Sequence, residues 1–65
     1  MALTWDEPGE IAWALIDAYP GQDPLDLNFV DLHRMIVELD AFADEPDAAS
    51  EPILEAVVVA WNDQR

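Results

Sequence analysis

Apolar side chains recur along this chain in three helical stripes separated by turn-forming stretches. The clearest stripe lies in residues 29–46, FVDLHRMIVELDAFADEP, where Phe29, Leu32, Ile36 and Leu39 fall on one side of a helical wheel and Asp31, Arg34 and Glu38 on the other. One face is suited to burial and the other to water or a partner. Asn28 is placed to cap this helix, and Asp31 three residues on comes close to completing a capping box. The spacing predicts a helix running to roughly Leu39 or Ala41. An acidic corner of Asp44, Glu45, Pro46 and Asp47 follows, and Pro46 keeps it from continuing as helix.

Upstream, Asp6 is the expected N-cap of a first helix. Glu7, Pro8, Gly9 and Glu10 supply a first turn in which acid suits the helix dipole and proline has no hydrogen bond to lose. Ile11, Ala14, Leu15 and Ala18 form its predicted buried stripe, and Trp13 lies well round the wheel as an exposed or rim aromatic. Tyr19, Pro20 and Gly21 end it, and a turn-rich connection continues to about Asp26. Leu3, Thr4 and Trp5 alternate as a short extended segment with Trp5 a packing residue, and the alternating Leu25 and Leu27 are its expected pairing partner. Ser50 caps a third helix with Glu51 and Pro52 in its first turn. Ile53, Leu54, Val57, Val58, Ala60 and Trp61 cover a broad apolar arc on it, opposite Glu55 and Asn62, with Val59 an apolar exception. There is no internal repeat and no sustained heptad. The expected fold is mainly α: a single small three-helix domain over residues 1–65, with at most a minimal two-stranded β edge.

Size narrows what such a domain can do. A chain of 65 residues buries only about 60% of the surface its unfolded form exposes, which leaves no room for a deep enclosed active site. The absence of cysteine rules out a disulfide, a catalytic thiol and a cluster held on the chain's own sulfurs. The first residues lack a basic segment followed by an apolar run, and the longest nearly apolar stretch, residues 56–61, is far short of the roughly 20 residues needed to span a bilayer. A soluble cytoplasmic protein is expected.

Charge sharpens the picture. Fifteen acidic side chains against 2 basic ones give a net charge of -13. That surface repels nucleic-acid phosphates and anionic lipid and speeds encounter with basic surfaces. Neither nucleic acid nor membrane is an expected partner, and the 52% hydrophobic content argues for a folded domain rather than a disordered acidic tail. The charge concentrates between residues 31 and 55, where Asp31, Glu38, Asp40, Asp44, Glu45, Asp47, Glu51 and Glu55 face a single fixed cation, Arg34.

Two kinds of chemistry merit a test. His33 has Phe29, Val30, Ile36 and Val37 at the positions one helical turn away, so no local histidine–carboxylate clip exists and a boundary histidine that packs or hydrogen-bonds is expected. No nucleophile, base and pocket converge, so the chain is not expected to be an enzyme. The carboxylates differ, because hard divalent cations tolerate loose oxygen geometry. If the second helix continues one turn, Asp40 and Asp44 stand at i, i+4, as Glu51 and Glu55 do on the third. A cation or a basic partner would relieve their repulsion. Such a metal site would be weak, water-rich and unselective, and the alternative is an acidic ridge that meets only bulk counterions.

Several segments together resemble a known family: WDEP at residues 5–8, IDAYP at 16–20, Asp23 with Pro24, the stretch at 29–46, and ILEAVVVAWND at 53–63. With the F-x-D-x-H pattern of Phe29, Asp31 and His33, and Trp61 with Asp63 at the end, nearly the whole chain is similar to the IscX (YfhJ) family of small bacterial iron-sulfur cluster assembly proteins. The resemblance implies a helical domain related to the winged helix. It also implies a non-enzymatic adaptor, iron donor or regulator that binds the cysteine desulfurase IscS through its acidic surface, overlaps the frataxin site, and binds Fe(II) weakly. Carried over by position, Asp31, Glu38, Asp40, Asp44 and Glu45 are the implied iron and desulfurase contacts, and Asp47, Glu51 and Glu55 extend the partner surface. A monomer is expected. The chain departs from the family pattern at Met35, where tryptophan is expected, and at Val30, where a hydroxyl cap is expected. A rival reading from another class is a nucleic-acid mimic that fills the basic groove of a DNA-binding protein by charge alone.

Overall fold

Three helices form where the apolar periodicity places them. In the computed structural model, which describes residues 2–65, α1 is Pro8–Ala18, α2 is Phe29–Val37 and α3 is Glu51–Gln64, with 3-10 turns at Pro24–Asp26 and Pro46–Ala48. The longest helix, α3, supplies Leu54, Val57 and Trp61 to the core. Against it α1 buries Ile11, Ala12 and Leu15, and α2 buries Leu32 and Ile36. Leu3 and Trp5, from the segment before α1, close the remaining side at 3% exposure each. Every buried side chain among the described residues is apolar, so folding rests on area removed from water and not on buried polar networks. Among the described residues no helix is long and apolar enough to cross a membrane.

The caps explain where the helices begin. The Asn28 side chain accepts a hydrogen bond from the Asp31 amide at 2.8 Å, an interaction that typically contributes about 1 kcal/mol. The reciprocal half of a capping box is replaced, because the Asp31 carboxylate turns to Arg34 at 2.9 Å. At α1 the N-cap is Glu7 rather than Asp6 and makes no side-chain cap bond. The chain instead reverses through a turn closed by the Glu7 amide on the Thr4 carbonyl at 3.1 Å. Ser50 occupies the N-cap of α3, also without a side-chain bond. Gly21 ends the turn after α1 at φ 90, a left-handed conformation that favours glycine.

Three further expectations are corrected. The buried stripe of α1 takes in Ala12, while Ala14 is half-buried and Ala18 exposed, because Ala18 is the helix's last residue and lies beyond the packed seam. Next, α2 stops at Val37, short of Leu39 or Ala41. The Leu39 amide tightens onto the Ile36 carbonyl at 3.1 Å and the Phe42 amide onto the Leu39 carbonyl at 3.0 Å, which turns Leu39 and Phe42 toward the core where both are partly buried. Tertiary packing of those two side chains overrides local helix propensity. Finally, Leu25 does not pair with the N-terminal segment. It lies 65% exposed in the 3-10 turn at Pro24–Asp26, and Leu3 pairs with Phe42 in a single parallel bridge.

Candidate functional site

The segment around Leu3 and Trp5 straps down the acidic loop that follows α2. The Leu3 amide donates to the Ala41 carbonyl at 2.8 Å, and the Ala43 amide donates back to the Leu3 carbonyl at 2.9 Å. Two residues on, the Trp5 amide donates to Asp44 Oδ2 at 3.0 Å and the indole Nε1 to the Glu45 carbonyl at 2.6 Å. The Trp5 ring meets the edge of Phe42 at 4.9 Å between centroids and stacks on His33 at 5.8 Å with the planes 8° apart. His33 Nε2 donates to the Pro46 carbonyl, which draws the end of the loop back against α2. A carbonyl only accepts, so Nε2 carries the proton. His33 is therefore the packed, hydrogen-bonded histidine that its helical neighbours predict.

Asp44 is the pin of this arrangement. Its Oδ2 receives the Trp5 amide and its Oδ1 the Glu45 amide at 2.8 Å. These two amide bonds, Trp5 first, hold its carboxyl below the ordinary value of 3.8, against a smaller opposing effect of burial. A depressed folded-state pKa contributes stability that is complete above the unfolded-chain value and is lost as pH falls through the folded value. The acid limb of the stability curve below 3.8 thus contains an Asp44 component. In Asp44→Asn that limb will be flatter and the neutral-pH stability lower, since an amide offers one acceptor oxygen in place of two. Urea midpoints of both proteins across the acid range test this, and parallel curves would contradict it.

The remaining predicted residues separate into distinct settings. Glu38, the C-cap of α2, and Asp40, Glu45 and Asp47 are all exposed on the loop. Asp31 is half-buried and engaged by Arg34. Glu51 and Glu55 stand one turn apart on the exposed side of α3. Asp40 and Asp44 do not form the i, i+4 pair envisaged, because the helix has already ended. Among the described residues no three of His, Asp and Glu gather so as to hold a metal ion. The loop has the chemistry of a display surface, in which each carboxylate reaches outward separately, rather than that of a chelating pocket. Both arginines of the chain are engaged elsewhere, Arg34 with Asp31 and Arg65 with Asp23 at 3.3 Å. Among the described residues no cation pairs with the exposed loop carboxylates.

The sequence reading missed the strap itself and its effect on charge. Because Trp5 is bonded to Asp44 and Glu45, the exposed Asp6 and Glu7 that follow it stand beside the loop and add to its negative edge. The available signal was the placing of Leu3, Trp5 and Phe42, bulky apolar residues outside any helix, which need a tertiary contact to be buried.

The comparisons with known proteins follow the same outline. A family model described as iron-sulphur cluster assembly matches residues 3–65. The uncharacterized protein PA3808 of Pseudomonas aeruginosa is 45% identical over 65 residues, covering 100% of this chain and 98% of its own length. With the family model spanning the strap, the acidic loop and all three helices, the chain belongs to the IscX (YfhJ) family of iron-sulphur cluster assembly proteins.

Proposed function

We propose that this protein is a non-enzymatic adaptor or regulator of iron-sulphur cluster assembly that docks its strapped acidic loop on a basic surface of the cysteine desulfurase IscS. The observation that carries the reading is the display of Glu38, Asp40, Glu45 and Asp47 on a loop pinned by Trp5 and Asp44, with no cation among the described residues paired to them. A second feature supports it. Glu38 and Asp40 sit at the C-terminal end of α2, the negative pole of the helix dipole, where a carboxylate disfavours the fold. Carboxylates kept there at a cost to the fold fit a role in an external contact. A chain without thiols cannot carry persulfide or hold a cluster on sulfur, which suits a helper that meets the enzyme handling both.

In this reading the dock overlaps the frataxin surface, the protein acts as a cytoplasmic monomer, and Fe(II) is a loosely held cargo, drawn to Glu38, Asp40 and Glu45 singly with water completing its shell. Asp31 and Asp44, engaged by Arg34 and by two backbone amides, contribute charge more than ligation.

Binding to the desulfurase will weaken at least about tenfold as salt rises from about 50 to 300 mM, since exposed charges lose their mutual field within a Debye length that shrinks with ionic strength. Calorimetric titration at several salt concentrations reads this directly. A dissociation constant that does not change with salt, or no binding at low salt, removes the reading.

A further inference from the structure

The inward side of α3 carries Leu54, Val57 and Trp61, yet its outward side is apolar too. Pro52, Glu55, Ala56, Val59, Ala60 and Asp63 line a shallow trough of about 460 Å³, and their numbers follow the i, i+3, i+4, i+7, i+8, i+11 progression of one face of a helix. Val59 is 63% exposed at its centre. Ala56 and Ala60 beside it are small enough to let another backbone approach closely. The carboxylates of Glu55 and Asp63 flank the apolar strip, eight residues and so about 12 Å apart along the axis. A helix apolar on two opposite sides has one side left without a partner.

Charge decides what covers it. A second copy would bring two bodies of net charge -13 together with their rim carboxylates facing one another, which disfavours self-association. We propose that this trough receives an amphipathic segment of a protein partner, aliphatic along one face and bearing Lys or Arg about two helical turns apart to meet Glu55 and Asp63. The segment belongs to the same basic partner that takes the acidic loop, so the proposal rests on that reading and deepens it. The loop provides the salt-sensitive part of binding and α3 an apolar part that salt leaves in place.

The test uses the intact labelled protein and two synthetic 18-residue peptides of identical composition. One has leucines along one helical face and lysines on the other, and the second has the same residues scrambled. At about 0.3 M salt, where exposed charge is screened, the amides of Ala56, Val59 and Ala60 will shift with the striped peptide and not with the scrambled one. Val59→Asp, checked for helix content by circular dichroism, will lower the affinity of the striped peptide at least about tenfold. Because this substitution adds negative charge, attraction by charge alone predicts tighter binding, the opposite sign. Equal response to both peptides at α3, or unchanged or improved affinity in Val59→Asp, overturns the proposal while leaving the acidic-loop reading intact. A protein that takes the peptide on α3 but does not bind the desulfurase removes the functional reading and leaves the trough standing.

Discussion

Trp5→Ala will remove about 3–5 kcal/mol of folding stability, close to everything a domain of this size holds. At 0.05–0.15 kcal/mol per residue, 65 residues carry roughly 3–10 kcal/mol. The size of the loss follows from how much Trp5 does at once. Its ring is 3% exposed, packs on Phe42 and His33, and donates through Nε1 to the Glu45 carbonyl. Truncation leaves a cavity beside α2 and takes from the Glu45 carbonyl one of its two donors, the other being the Ala48 amide at 3.1 Å. Trp5→Phe keeps an aromatic ring in the site but loses the indole bond and part of the ring contact, a smaller change of about 1–3 kcal/mol, so it serves where the alanine variant does not fold. Urea denaturation measures both. Losses under about 1 kcal/mol for alanine would mean that the strap is decoration and the loop holds its shape unaided.

Reversing the charge of Glu38, Asp40, Glu45 and Asp47 together to lysine will move binding and stability in opposite directions. Desulfurase affinity will fall at least about a hundredfold, because a basic surface then meets like charge. Stability will stay level or rise, with Glu38→Lys and Asp40→Lys each contributing about 0.3–1 kcal/mol by placing a cation at the negative end of α2 in a chain of net charge -13. Asp44 is left out of this set because its two oxygens hold the Trp5 and Glu45 amides, and its substitution would damage the loop's shape along with its charge. The opposed signs separate a docking surface from a structural one. A variant that loses stability, or that binds as tightly as the parent, contradicts the reading.

The three helices were legible in the sequence because each carries its own periodic signal. Leu32 and Ile36, then Leu54, Val57 and Trp61, lie buried where the wheel puts them, and Asn28 caps α2 as its position implies. The end of α2 was not legible. Leu39 continues the apolar repeat, so periodicity favours more helix, while the packing that stops it depends on Leu3, 39 residues from its bridge partner Phe42. The same distance hid the site's construction. The acidic loop was visible as composition, but the pin at Asp44 requires Trp5, and nothing near Asp44 in the chain announces it. Asp40 and Asp44, read as one turn apart on a helix, belong to a loop in which one reaches solvent and the other is tied to backbone. His33 was legible by elimination, since its helical neighbours offer no carboxylate, though not the Trp5 ring that it stacks on.

Titrating the labelled protein with cysteine desulfurase and following every amide, together with the Trp5 indole proton bonded to Glu45, tests most directly whether the strapped loop is the docking surface. Shifts concentrated at residues 3–7 and 38–47, joined by Ala56, Val59 and Ala60 where a segment of the enzyme seats on α3, with the indole proton among the most perturbed and the exposed Asp17 and Asp26 quiet, are the expected result. Shifts of similar size at Asp17, Asp26 and the loop, with the indole proton unmoved, would mean that the enzyme meets charge anywhere on this molecule and that the loop has no special role.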